Sequence, residues 1–238
     1  MKLRSSVMNE DMISSAELSR AACCNLGESF VTNPSVDVSY SDAATGAKQI
    51  KLLGLSGTYV QMLTENIPNY RGAAAPYGLG YVPGPWMQSI QVSKGTSSVK
   101  NGYEAITGQI NVEFKKPQLP EADWVSANLF ASTTNRYEAN ADATLKLSKR
   151  WSTSLLAHYE NETKAHDGND DGFVDIPQVE QYNVWNRWAY MGDHYVFQAG
   201  IKALSETRTS GQANHGGTMH SGDLYKVGID TERYEFFT

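Results

Sequence analysis

The sequence predicts a small α+β domain followed by an incomplete antiparallel transmembrane β-barrel, and three observations carry that prediction. The hydrophobic pattern changes near Pro117, from mixed helix and strand signals to a period of two that lasts for the rest of the 238 residues. The strands read from the second part run to about ten residues or more, the length a tilted strand needs to cross hydrocarbon and longer than the usual five or six of soluble sheets. Their connections are tight on one side and long and polar on the other, as in outer-membrane barrels.

The first domain is expected over residues 1–117. Ser14 and Glu17 stand at capping-box spacing, Ile13 and Leu18 at hydrophobic-staple spacing, and Gly27 where a helix would end, so the local signals predict one helix over 15–26. The adjacent Cys23 and Cys24 fall inside it. Two neighbours cannot close a long-loop disulfide or supply a four-ligand zinc site, and they read as packing residues rather than a redox pair. Short alternating runs follow at Ser35–Tyr40, Gln49–Leu53, Thr58–Leu63, Ser89–Lys94 and Gln109–Phe114, each bounded by Gly, Pro, Asn or Asp.

The second domain is expected over 121–238, with strands at 123–133, 137–147, 151–161, 179–190, 193–206 and 224–235. The run from Tyr137 to Leu147 is the plainest. Tyr137, Ala139, Ala141, Ala143, Leu145 and Leu147 would line one face, and Glu138, Asn140, Asp142, Thr144 and Lys146 the other. Trp151–Glu160 and Tyr195–Ala203 repeat the pattern, and Trp124, Tyr137, Trp151, Tyr159, Tyr182, Trp188, Tyr190 and Tyr195 gather towards strand ends as an aromatic girdle would. Ser148–Arg150 and Met191–Asp193 are tight joins, whereas 163–178 and 207–222 are long and polar; the short join at Thr134–Arg136 breaks the rule. A soluble β-sandwich also alternates, but it buries its apolar face under a second layer. Six strands cannot close a wide barrel, and an open edge in lipid leaves backbone groups unsatisfied, so a barrel here implies a longer protein.

Composition removes several classes. Twenty basic against 26 acidic residues, with no basic arm or stripe, argue against a nucleic-acid partner. The longest uncharged stretch, Gly72–Ser93, is broken by Pro76, Pro83 and Pro85 and cannot be a membrane helix. No nucleophile elbow, P-loop or dinucleotide loop is present. The start, MKLRSSVMNEDM, lacks an apolar run of signal-peptide length, so either the protein stays in the cytosol or the sequence begins downstream of an export signal.

Residues 83–117, PGPWMQSIQVSKGTSSVKNGYEAITGQINVEFKKP, read physically as a strand, a Gly95 turn, a small-residue loop ending at Gly102 and a second strand from Gly108. This stretch resembles the end of the plug domain of TonB-dependent outer-membrane receptors. Upstream, GAKQIKLLGLSGTYVQMLTENIPNYRG resembles the preceding plug strands, with Leu53–Gly54 and Glu65–Asn66 where many members carry Arg-Gly and Asp-Gly. The resemblance implies a plug over 1–117, the first barrel strands from 121, and a place in the cell outer membrane. It implies a receptor that imports a scarce nutrient, an iron chelate, cobalamin or another metal complex, with energy from the inner-membrane TonB complex. That function is transport, not enzymatic chemistry, and it places export signal, coupling motif and most of the barrel outside this chain. The rival reading is a soluble, β-rich, calcium-dependent binding protein.

Three groups of residues are candidate sites. In the apical plug loop, Tyr70, Arg71 and Tyr77 are the substrate-binding candidates, because exposed Tyr and Arg join large contact area to fixed donors; packed tyrosines are the other reading. Asp167, Asn169 and Asp171, followed by Gly172, match the first half of a calcium loop, with Asp175 as a further carboxylate. The twelfth position is Gln178 and no helix flanks the loop, which favours a solvated turn. His215, Met219 and His220 could hold a soft metal such as copper, though a chance grouping accounts for them as well. His158 and His194 read as hydrated or hydrogen-bonded, lumen-facing positions. No resident cofactor is expected beyond calcium in the 167–175 loop.

Overall fold

The computed structural model describes residues 9–20, 24–30, 33, 36–42, 44–55, 57–96, 103–117, 124–213 and 224–238. The chain divides into two compact units: residues 1–41 with 47–115, and 42–46 with 116–238.

The first unit contains β1 (Asn9–Ser14), α1 (Ser15–Arg20), β2 (Val36–Asp42), β3 (Ala47–Leu52), β4 (Val60–Thr64), β5 (Ile67–Pro68), α2 (Ala75–Gly78), β6 (Met87–Lys94) and β7 (Gly108–Phe114). Five of these strands form a sheet in the order β1-β6-β7-β4-β5, and β2 and β3 pair as a separate ladder. Within the sheet β4 runs parallel to β7, and the other pairs are antiparallel. Alternation builds the central strands: Ile90 and Val92 of β6 and Ile110, Val112 and Phe114 of β7 are essentially inaccessible, beside Trp86, Leu52 and Leu63. The buried Asn111 is satisfied by Gln91 and Glu113 and accepts the Asn66 backbone N–H at 2.8 Å.

The predicted helix is real: among the described residues it spans Ser15–Arg20, the first half of the expected 15–26. Its start is capped as expected, with the Ser14 N–H and hydroxyl both donating to the Glu17 carboxylate at 2.7 and 2.8 Å. Cys23 lies outside the described residues, and Cys24, expected within the helix, is outside it and buried. The reason is tertiary. Residues 24–26 give their backbone groups to residues 82–84, through Leu26 N–H to Val82 O (2.9 Å) and Gly84 N–H to Cys24 O (2.8 Å). The segment before the helix, for which the sequence predicts no element, is the edge strand β1, paired with β6 from Asn9↔Lys94 to Ser14↔Ser89.

The second unit is an antiparallel meander of β8 (Trp124–Ala131), β9 (Tyr137–Lys146), β10 (Trp151–Glu162), β11 (Gln178–Met191), β12 (Val196–Gly211) and β13 (Lys226–Phe237), in that spatial order. The tight joins close as hairpins, with Leu147 N–H to Trp151 O and Gly192 N–H to Tyr195 O at 2.9 Å. His194 falls in the second of these turns and is exposed, not on a strand facing inward as expected. β12 also runs to Gly211 through a segment expected to be loop, because Thr207 and Thr209 keep the period of two while pairing with β11 and β13.

Burial along these strands is the reverse of a soluble sheet. Glu138, Asn140, Asp142 and Thr144 of β9 are at most 5% exposed, while Ala141 and Leu145 between and beyond them are exposed. Leu155 is 46% exposed and Ile201 62%, against 1% for Arg187 and 2% for Glu206. The soluble-binding-protein alternative required the apolar face to be covered, and that face is open.

Candidate functional site

Two surfaces are candidates for function, one in each unit. In the first unit the site is built by the segment after β4. Glu65 and Asn66 both take positive φ (50° and 66°), which turns the chain in two residues into β5. A third such residue, Tyr70 (φ 52°), then folds the segment back towards α2. Tyr70 is 4% exposed, so its expected exposure is corrected: its ring packs against Tyr81 with centroids 6.2 Å apart and lies over Gly78. A Cβ on Gly78 would stand 2.6 Å from two Tyr70 atoms. Gly78→Ala should therefore lower stability by about 1–3 kcal/mol, read as a drop in thermal midpoint of the detergent-solubilised protein. An unchanged midpoint would show that Tyr70 is not held there.

Folding back leaves a cavity of about 460 Å³ bounded by β2, β3, the start of β4 and the 70–79 segment. Ile50, Val60, Met62 and Leu79 make its apolar floor, and Lys48, Arg71 and Glu104 bring charge to it. Arg71 Nε donates to both Glu104 oxygens at 2.8 and 3.0 Å across a separation of 33 residues. The pair is open to solvent, at 47% and 25% side-chain exposure, and the hydrogen bond that Arg71 donates to the Glu104 carboxylate raises its already high pKa. Tyr77 is half-buried on α2 and does not line the cavity. Sequence reasoning found Arg71 but missed Lys48 and Glu104; the only available signal for Glu104 was its place in the Gly102–Gly108 segment.

In the second unit the outward face is an apolar band between two aromatic rows. Trp151, Tyr190 and Tyr195 cluster near the tight turns, with centroids 5.0 and 5.4 Å apart, and Tyr159 and Tyr182 meet at 4.9 Å towards the other end. Between them, register aligns Val125, Ala143, Leu155, Asn186, Ile201 and Phe236 in one row. The polar member, Asn186, is fully used: its amide donates to Thr153 Oγ1 and Ser154 O, and its oxygen accepts the Trp188 indole N–H at 2.6 Å. That is what a lipid-facing amide requires. Beyond the Tyr159–Tyr182 row the outward positions turn polar, with Asn161, Glu180, Thr207 and Asp230 aligned.

The opposite face carries charges in ion-paired and hydrogen-bonded sets. Arg136 pairs with Glu138 (2.6 Å) and Glu160 (3.0 Å), His158 Nδ1 meets Asn140 at 2.8 Å, and Glu206 takes bonds from Gln181 and Arg208. The Arg187 guanidinium lies 4.5 Å over the Trp185 ring. Buried charges persist when paired in this way.

The 167–175 loop is ordered by its own backbone. Asp167 accepts from the N–H groups of Asp171 and Gly172, Asp171 from Phe173, and Asp175 from Gly168 at 2.6 Å, while Asn169 bonds Asp171. Among the described residues no three His, Cys, Asp or Glu side chains converge as a metal cage. His215, Met219 and His220 lie outside the described residues.

The TonB-dependent receptor plug domain model matches residues 2–109. No curated protein matches the sequence. Among solved structures, the pyoverdine outer membrane receptor FpvA from Pseudomonas aeruginosa PAO1, bound to pyoverdine, superposes with a TM-score of 0.69 at 15% identity, over 90% of this chain and 30% of that one. The siderophore receptor PiuA from Acinetobacter baumannii gives 0.67 at 15%, over 87% and 27%. The copper transporter OprC gives 0.66 at 15%, over 94% and 34%. The chain thus spans 27–34% of the length of these structures, and at such identity the likeness is one of fold. Residues 2–109 thus belong to the TonB-dependent receptor plug domain family, and the strands that follow share the fold of the matching part of these outer-membrane structures.

Proposed function

We propose that the protein is an active-transport receptor that captures a metal chelate, a ferric siderophore or a copper complex, and imports it with energy delivered by the TonB complex. The observation that carries this reading is the inverted sheet: long strands with an apolar face exposed and a polar face buried, preceded in the chain by a plug domain. A polar interior suits a hydrated ligand path, and a barrel of about 22 strands is wide enough to hold a plug. The chelate class follows the printed descriptions of the similar structures, receptors for siderophores and a transporter of copper. The receptors of this family are transporters, so the chain is not an enzyme. Arg71 and Tyr77 supply donors towards substrate, and Tyr70 fixes the segment that presents them.

Cells with this protein as their sole receptor should accumulate radiolabelled ferric chelates or radiocopper only while the proton gradient stands. A protonophore should leave surface binding intact and stop accumulation. Accumulation that continues after the gradient collapses, or recovery of the protein as a soluble monomer, would overturn the reading.

A further inference from the structure

The short-turn end of the second unit has a chemistry that an aromatic row alone does not need. Leu147, Trp151, Tyr190 and Phe197 form the last outward row of the apolar band, aligned by the Leu147 N–H to Trp151 O bond and by the β10–β11 and β11–β12 registers. Just beyond it lie the β9–β10 and β11–β12 turns, tied to each other by Met191 N–H to Arg150 O at 2.8 Å. These turns bring Lys149 and Arg150 to the surface, with Asp193 as their single acid. Lys149 is exposed and makes no ion pair among the described residues. Arg150 gives Asp193 one N–H, from Nη2 to Oδ2 at 2.8 Å, and its side chain stays 52% exposed. The outward row at the long-loop end is opposite in charge: Asn161, Glu180, Thr207 and Asp230 carry two acids and no cation.

We propose that the short-turn end binds an anionic glycerophospholipid, its phosphate on Lys149 and Arg150 and its acyl chains along Leu147, Trp151 and the band behind them. Cations at headgroup level beside an aromatic row meet an anionic phosphodiester and an acyl chain at the same time. Lys149 supplies a compact charge, and the bond to Asp193 holds the Arg150 fork in place with its other donors open to a phosphate. A zwitterionic lipid offers the same chains but brings its own cation to the site, so net charge selects between the two headgroups. Short turns face the periplasm in barrels of this kind, which puts the lipid in the periplasmic leaflet. The inference rests on the apolar-out sheet and is independent of which ligand is imported.

The test is fluorescence quenching of the full-length protein in phosphatidylcholine vesicles, with a fraction of the lipid brominated on its acyl chains. The signal of Trp151 is the difference between the parent protein and Trp151→Phe. Brominated phosphatidylglycerol should quench it at about fivefold lower mole fraction than brominated phosphatidylcholine. Lys149→Gln combined with Arg150→Gln should bring the two lipids to equality. Asp193→Asn, which removes the competing carboxylate, should widen the preference about twofold or more. Glu180→Gln, at the acidic end, should leave it unchanged. Equal quenching by both lipids in the parent, a preference that survives the double substitution, or one that narrows in Asp193→Asn would each overturn the proposal. Loss of the preference on adding millimolar glycerol 1-phosphate would do so too, by assigning the site to free phosphate rather than to lipid. Quenching by neither lipid would show Trp151 shielded from acyl chains and overturn the apolar-out reading along with it.

Discussion

Replacing Leu155 by arginine should prevent stable assembly in the outer membrane. Leu155 stands four residues from Trp151 and four from Tyr159, so it sits midway between the two aromatic rows, in the row with Ala143 and Asn186. At about 3.3 Å per residue the eight-residue span between those rows is about 26 Å along the strand, which at a tilt near 40° covers about 20 Å of depth. A cationic side chain at mid-depth costs about 2–4 kcal/mol, a large share of the ~5–15 kcal/mol that holds a folded domain together. Thr207→Arg is the matched control. Thr207 lies on the same face in the polar row with Glu180 and Asp230, where the cost falls to about 0–1 kcal/mol. The readout is the heat-dependent mobility of the outer-membrane fraction on cold detergent gels. Leu155→Arg should lose the folded band and Thr207→Arg keep it; equal behaviour of the two would mean that this face does not meet lipid.

That contrast depends on a pattern the sequence displays openly. Strict alternation from Tyr137 to Leu147 and from Trp151 to Glu160 separates two faces on its own, because a strand's side chains can only point two ways. Alternation does not say which face is covered. Strand length, the aromatic rows and the family resemblance favour apolar-out, and the burial of Glu138, Asn140 and Asp142 agrees. Where the pattern fades, so does legibility. β12 continues through Thr207 to Gly211 because the outward and inward positions are both polar there, and alternation of hydrophobicity vanishes while alternation of direction persists.

The first unit is harder to read for a different reason. Ser14, Glu17, Ile13 and Leu18 give true local signals for a helix start, and the helix starts where they say. At the far end of the expected span Cys24 and Leu26 are held by bonds to residues 82–84, far along the chain, which no local window contains. β1 is hidden likewise: NEDMIS has no alternation of its own and becomes a strand by pairing with β6, with Asp11 held to Lys94 at 2.7 Å. The cavity shows the same limit. Arg71 is conspicuous in sequence, but Lys48 and Glu104 reach it only through the return of the 70–79 segment.

The second large effect is expected at Gly108, the first residue of β7. Its φ of 155° lies where residues with a Cβ rarely go, and an added Cβ would meet Ser93 O at 2.1 Å and Leu52 Cδ2 at 2.4 Å. The backbone oxygen cannot swing aside, because residues 93 and 94 pair with residues 109 and 108 in the β6–β7 ladder. Leu52 is fully buried, so the core cannot give way on that side either. Gly108→Ala therefore combines backbone strain of about 1–3 kcal/mol with overpacking of similar size. A total of about 3–5 kcal/mol should unfold or loosen the sheet around β7, while the strands from β8 onward keep their own ladder. Limited proteolysis separates the two units: the variant should be cut within 47–115 under conditions that leave 124–213 protected. Gly95→Ala is the comparison, since its φ of 92° also favours glycine but nothing lies within 4 Å of the added atom. Strain without collision should cost about 1–2 kcal/mol and leave the plug resistant. If the two variants are cut alike, the close approach of β6 and Leu52 to Gly108 is not what holds this sheet.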